Sequence, residues 1–313
     1  MSMRPLLLLP EILLFLGGLV VLFSGSFLAQ GRQWVTRVMA AAALLAATVA
    51  AAKDLAGTAE VAMEGTFTID VTTGVARIVA TLGVLVVLAL ATDEIAGTAR
   101  ESETYALMLF STTGTLVLAG ADDLLVVVVG FLLASIPLYG LIGIARTPAG
   151  AEAAMKTYLL GALFGILMLL GVTVLYGVTA TTSYAVLGYR LVDAPAGAVA
   201  AGVVAILAAL MFKAGGVPGH FWIPDAAQGA GGAVAAFLTT IPKAWCHHRG
   251  VPTRCDAARH LGVASPDRDA GGGQHDPRQP GRLLADRPPP PARLVHRQPG
   301  RLPPGARGGR RPQ

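Results

Sequence analysis

The chain has 313 residues, of which 54% are hydrophobic and only 14% are charged, and its mean hydropathy is +0.61. So little charge excludes an ordinary soluble domain and indicates an integral membrane protein. The net charge of +5 is unevenly distributed: residues 1–243 carry 11 basic and 14 acidic side chains, whereas residues 244–313 carry 13 basic and 5 acidic ones. A nucleic-acid partner would depend on that last segment alone, and we expect none.

Apolar runs that meet or approach the length needed to cross a bilayer, about 20 residues, follow one another along the chain. They lie at residues 6–27, 34–52, 72–90, 105–119, 124–144, 158–176 and 198–212, and a further run begins near Gly232. The first run is not a cleavable signal, because further spans follow it and no cleavage pattern is clear. The sequence therefore predicts an all-α, multi-pass membrane protein with about eight transmembrane helices.

The charges in the connecting loops predict the orientation. Arg32 lies between the first and second runs and Arg37 lies at the start of the second, and Arg146 and Lys156 lie between the fifth and sixth. The loop after the second run is mainly acidic. Positively charged loops stay in the cytoplasm, which places the N-terminus outside. The loop after the third run should then be cytoplasmic although it is net acidic, because acidic residues contribute little to this rule.

The stretch LMFKAGGVPGHFWIPDA, residues 210–226, ends the seventh run with a lysine, Lys213, followed by several glycines and prolines. This pattern predicts a seventh helix that is broken inside the protein, which is tolerated where the freed backbone is buried or lines a cavity. A snorkelling lysine at the membrane surface is the alternative. Burial disfavours the charged form of an amine, so a lysine at such a break can release and regain a proton. Lys213 is therefore a candidate proton-transfer residue.

Other polar residues near the break have both structural and functional interpretations. Lys243 lies in the next apolar run and is either a second proton-transfer residue or a snorkelling side chain. His220 is a weaker candidate for proton transfer, and Asp225 could cap a helix or pair with a basic group. Glu152 and Lys156 are spaced i, i+4 at a helix start, as in an ordinary ion pair or as a further proton station.

The segment after Trp245 differs in character from the rest of the chain. All of its 13 basic residues are arginine, and it holds 12 of the 20 prolines. Such a composition cannot bury enough apolar surface to offset the entropy of ordering. We therefore divide the chain into a transmembrane domain, residues 1–244, and a disordered Arg/Pro/Gly-rich tail, residues 245–313.

The tail has two further interpretations. A reading frame shifted by one base permits TTLGNLA for HDPRQPG and AWSTVSQ for RLVHRQPG, which suggests that a frameshift near Ala244 truncated a longer membrane protein. Sequencing the gene across Pro242 to His260 tests this hypothesis, and an uninterrupted frame would contradict it. A metal site is the alternative, but its potential ligands match no familiar zinc spacing, so we predict none. Those ligands are Cys246, His247, His248, Cys255 and His260.

The segment FKAGGVPGHFWIPDAAQGAGGAVAAFLTTIPKA, residues 212–244, resembles the signature of the antiporter-like subunits of respiratory complex I, most closely subunit N. Residues 130–162 are similar to an earlier helix pair of the same family. The resemblance implies the first half of a bundle of about 14 helices with inverted repeats and broken helices. It also implies that Lys213, Lys243 and Lys156 take part in proton transfer, in a complex that transfers electrons from NADH to quinone.

One position departs from the family pattern. Where the resemblance places a glutamate, in G-x-E-L-x-S-L-P, this chain has GFLLASIP with Leu132. Leucine cannot titrate, and Asp122 and Asp123 lie at the helix start, roughly 14 Å away at 1.5 Å per residue. Leu132 and the tail keep open a degenerate non-pumping fragment with at most a structural role. A subunit of a cation/proton antiporter assembly, which would have the same ancestry, is the other alternative to a complex I subunit.

The resemblance also implies which components lie on other chains. The body shows no Gly-rich nucleotide loop and no cysteine cluster, so we expect no cofactor on this chain. NADH, FMN, iron–sulfur clusters and quinone would be bound by partner subunits. The expected partners are the other membrane-arm subunits and the lipid of a bacterial cell membrane.

Overall fold

The computed structural model describes residues 4–57, 59–217 and 219–243. Its helices are α1 (Leu9–Phe27), α2 (Trp34–Leu55), α3 (Val71–Leu90), α4 (Thr92–Ile95), α5 (Glu101–Gly120), α6 (Leu124–Ile142), α7 (Pro148–Thr179), α8 (Tyr184–Arg190), α9 (Ala196–Ala214), α10 (Trp222–Gly229) and α11 (Gly232–Thr240). Two short strands, β1 (Glu60–Ala62) and β2 (Phe67–Ile69), form an antiparallel pair in the connection between α2 and α3. The predicted tail, with its frameshift and metal-site interpretations, lies outside the described residues.

Six helical stretches in the described part of the chain are long and apolar enough to cross a membrane. They are Pro5–Phe27, Trp34–Leu55, Val71–Leu90, Leu124–Ile142, Pro148–Thr179 and Ala196–Gly229. Each places large apolar side chains on its outer surface, including Phe23, Val86 and Ile166. Lipid would cover such a surface, because bilayer interiors are as apolar as leucine side chains. The predicted all-α membrane architecture is confirmed.

Helix α5 is more polar than these six and packs against four of them, α1, α2, α3 and α6. It packs between α1 and α6, and most of its residues are buried. The hydroxyls of Thr112, Thr113 and Thr115 donate to backbone carbonyls one turn earlier in the same helix. The polar groups are thus satisfied inside the helix, as the absence of water in the hydrocarbon region requires. Gly114 lets the α6 backbone approach, since a β-carbon there would collide with Ala134.

The predicted break in the seventh span is present and separates α9 from α10. Helix α9 ends at Ala214, and Gly215 adopts a left-handed conformation with φ of 74°, which glycine reaches without steric cost. A short 3₁₀ turn, Gly219–Phe221, leads into α10. The indole Nε1 of Trp222 donates to the carbonyl of Phe212 over 2.8 Å and so satisfies a carbonyl that the break frees. We call residues 215–221 the helix break.

Candidate functional site

Lys213 lies one residue before the end of α9 and is 2% exposed. Its Nζ donates to the hydroxyl of Ser135 on α6 over 2.8 Å, and it lies 5.8 Å from the ring centroid of Phe131. The Ser135 hydroxyl in turn donates to the carbonyl of Phe131 over 2.6 Å. Phe131 and Ser135 are spaced i, i+4, so one face of α6 contacts the lysine. The buried amine is held by a hydroxyl and an aromatic ring inside the helix bundle.

Leu132 lies beside this contact and is oriented differently. Its side chain is 39% exposed, whereas those of Phe131 and Ser135 are buried. The position at which the resemblance places an acid therefore carries an apolar side chain on an outer surface of α6. Asp122 and Asp123 lie at the start of α6 and serve its local structure. Asp123 caps the helix by accepting from the Leu125 amide over 2.8 Å, and Asp122 accepts from Thr68.

Lys243 lies in a 3₁₀ turn that follows α11, and this turn brings it to the same helix break. A β-carbon built on Gly215 would lie 3.6 Å from the Lys243 Nζ. Gly215 is two residues beyond Lys213 in the chain. Two lysines that are 30 residues apart in sequence are thus both placed at the break between α9 and α10.

Lys156 and His220 occupy more exposed positions. The Lys156 Nζ lies 2.7 Å from a carboxylate oxygen of Glu152 and 3.3 Å from one of Asp225, so it links α7 to α10. The ion-pair interpretations of Glu152 and Asp225 are both confirmed by these contacts, while proton transfer through Lys156 stays a prediction. His220 is exposed, in the 3₁₀ turn of the helix break.

A buried ionic cluster in the first three helices was not recognised from the sequence. Arg77 on α3 is fully buried and binds Glu11 on α1 through Nε and Nη2, over 2.8 and 2.9 Å. Its Nη1 donates to Asp54 on α2 over 3.0 Å. Glu11 and Arg77 each lie inside an apolar run, which is a signal that sequence reasoning could have used. We call these three residues the Arg77 triad.

Comparison with known proteins connects this geometry to a family. Residues 121–246 match the family model described as NADH:quinone oxidoreductase/Mrp antiporter, TM. NADH-quinone oxidoreductase subunit N of Mycobacterium sp. (strain JLS) is 58% identical over 242 residues, which cover 77% of this chain and 52% of that protein. Subunit N 1 of Streptomyces griseus is 41% identical over 239 residues, covering 76% of this chain and 50% of that protein.

Solved structures show the same architecture. A chain of respiratory complex I from Thermus thermophilus superposes with a TM-score of 0.65 at 27% identity, covering 80% of this chain and 52% of that one. A chain of the Mrp complex from Dietzia sp. superposes with a TM-score of 0.61 at 24% identity, over 76% of this chain and 46% of that one, and supports the fold alone. This chain spans about half the length of the curated relatives that it matches. Its membrane region is similar to the antiporter-like subunits of NADH-quinone oxidoreductase, with subunit N as the type it resembles in sequence.

Proposed function

We propose that this chain takes part in proton translocation in the membrane arm of an NADH-quinone oxidoreductase. The observation that carries the proposal is the buried Lys213, held by Ser135 at a helix break that the Lys243 amine also approaches. An ionisable residue inside a membrane bundle is costly and marks an ion or proton path. The similarity to subunit N supports the assignment of that path to an NADH-quinone oxidoreductase.

The geometry supports a simple role for each group. The Lys213 ammonium can pass a proton onward and become a neutral amine, because lysine is a side chain that can serve as a proton donor and acceptor inside a protein. The Ser135 hydroxyl can donate to one group and accept from another, so it can hold the amine in either protonation state. Lys243 at the same break is the proposed receiving group. The exposed His220 is a weaker candidate at the surface of the break.

The redox chemistry belongs to other chains in this proposal. NADH, FMN, iron–sulfur clusters and quinone would be bound by partner subunits, and the neighbouring membrane-arm subunits would transmit the driving force. The chain would cross a bacterial cell membrane several times, with its N-terminus outside. The loop arginines Arg32, Arg100 and Arg146 follow or precede helices at one end of the bundle, and the positive-inside rule assigns that end to the cytoplasm.

Complementation tests the proposed function. The chain would be expressed with an affinity tag in a bacterium that has the partner subunits but lacks its own subunit N. We expect the chain to copurify with those partners and to restore NADH-driven proton uptake into inverted membrane vesicles. Proton uptake driven by a sodium gradient and not by NADH would favour the antiporter assembly. Failure to copurify would contradict the proposal and favour the non-pumping fragment, the alternative that Leu132 supports.

A further inference from the structure

Helix α11 begins without a capping side chain of its own. Its N-cap residue is Gly231, which has extended backbone angles (φ −66°, ψ 160°) and no side chain that could accept a hydrogen bond. A helix start exposes backbone amides that have no intrahelical partner, and an acceptor at the second or third amide usually satisfies one of them. A hydrogen-bond acceptor from another part of the chain must therefore cap the first turn of α11.

Glu94, in the short helix α4 after α3, supplies that acceptor from a distant part of the chain. Its Oε2 accepts from the Ala233 amide over 2.8 Å, across a sequence separation of 139 residues. Ala233 is the second residue of α11, where a capping side chain would normally bind. The carboxylate also carries negative charge to the positive end of the helix dipole.

The glycines that precede and start α11 are required for this contact. A β-carbon on Gly231 would collide with the Oε1 of Glu94, and one on Gly232 would lie 3.3 Å from Oε2. The carboxylate therefore occupies the space that a side chain at residue 231 would fill. Arg100 and Arg146 line the same cavity of about 310 Å³ as Glu94.

Lys243 lies in the turn that follows the other end of α11. Ile241, in the turn after α11, is buried and packs against Gly83 of α3, and the Lys243 Nζ lies beside Gly215 at the helix break. The segment from residue 231 to residue 243 is thus attached at its start to α4 and at its end to α3. A shift of α11 along its own axis would move Lys243 relative to the helix break.

We propose that Glu94 is a positioning residue that caps α11 from outside the helix and thereby holds Lys243 at the helix break. Its importance for proton transfer rests on the proposed function. The contact itself can be tested without measuring proton transfer, so a failure of one proposal would not imply a failure of the other.

Hydrogen exchange of the full chain in lipid nanodiscs tests the cap. In Glu94→Ala we expect the amides of residues 233–235 to exchange about fivefold faster, a typical effect of losing one cap hydrogen bond. Glu94→Gln keeps an acceptor oxygen and should restore most of the protection. Asp93→Ala removes the neighbouring exposed carboxylate of α4 and should leave exchange unchanged.

Chemical modification of lysines tests the positioning. We expect an amine-reactive reagent to modify Lys243 up to about fivefold faster in Glu94→Ala. The rate increase cannot exceed the factor that corresponds to the free energy of the lost cap hydrogen bond. Glu94→Gln should return the rate to that of the original chain, and Lys213 should react equally in all variants because it lies on α9. Gly231→Ala keeps the carboxylate but obstructs its approach, so it should behave as Glu94→Ala does. The proposal is overturned if Glu94→Ala changes neither measurement, or if Asp93→Ala changes both to the same extent.

Discussion

At the scale of single residues, the contact between Lys213 and Ser135 decides how the site can work. Sequence patterns predicted a lysine inside the bundle, because a charge that ends an apolar run is conspicuous. They did not identify Ser135, although it lies in the quoted GFLLASIP segment. Serine is common in membrane helices, where its hydroxyl bonds to the preceding turn. Only the three-dimensional contact shows that the hydroxyl also accepts from Lys213.

Leu132 allows a gain-of-function prediction at the same scale. Leu132→Glu places a carboxylate three residues from Ser135 on α6, at the outer surface where Leu132 lies, and a glutamate that turns inward from there could stabilise and exchange a proton with Lys213. We expect NADH-driven proton uptake to rise at least severalfold, since a positioned acid–base group contributes on the order of 10²-fold or more. Uptake would be measured in inverted vesicles that contain the partner subunits.

Leu125→Glu is the matched control for this change. Leu125 is also an exposed leucine on α6, about two turns earlier on the same face and roughly 10 Å away. It should leave proton uptake unchanged. Equal effects of the two substitutions would show that added negative charge, and not proximity to Lys213, is responsible.

At the scale of helices, the Arg77 triad is the main ionic connection among α1, α2 and α3 in the described part of the chain. A buried pair contributes little beyond a well-packed apolar contact, but removing one partner leaves the other charge uncompensated. Arg77→Ala would leave Glu11 buried without its cationic partner and near a second carboxylate, Asp54. We expect it to lower the free energy of unfolding by about 3–5 kcal/mol. Thermal unfolding in detergent micelles measures this loss.

Two control variants show whether Arg77→Ala lowers stability by leaving a buried charge uncompensated or merely by removing an ion pair. Arg4→Ala removes an exposed pair with Glu60 and should change stability only slightly, because water screens exposed pairs. The double change Arg77→Met and Glu11→Gln removes the opposing charges together and should recover most of the stability. An Arg77→Ala protein that unfolds at the original temperature would refute the importance of the triad.

The helices were more predictable than the contacts between them. Apolar runs of nearly the required length identified the long helices, and Gly215, Gly216 and Pro218 identified the break. The strands β1 and β2 have three residues each, too few for a periodic pattern. The contact of Glu94 with α11 joins residues 139 apart, and no local rule relates such positions. Contacts between residues so far apart in the sequence are set by tertiary packing.

At the scale of the whole molecule, the fold brings two of the three lysines that the resemblance implies, Lys213 and Lys243, to one place. Helix α9 carries Lys213 to the break, and the turn after α11 returns Lys243 to the same point. Helix α6 closes the site from the other side through Ser135. The chain spans about half the length of its curated relatives, so the proton path proposed here is the portion that these helices contain.

The central claim is that Lys213 transfers protons, and Lys213→Ala tests it most directly. Proton uptake driven by NADH and oxidation of NADH by an artificial acceptor would be measured in the same vesicles, with partner subunits present. We expect uptake to fall at least about tenfold while NADH oxidation is retained, because acid–base groups contribute factors of this size or more. Lys53→Ala, at an exposed lysine of α2, should change neither rate. Uptake at the original rate in Lys213→Ala would contradict the account.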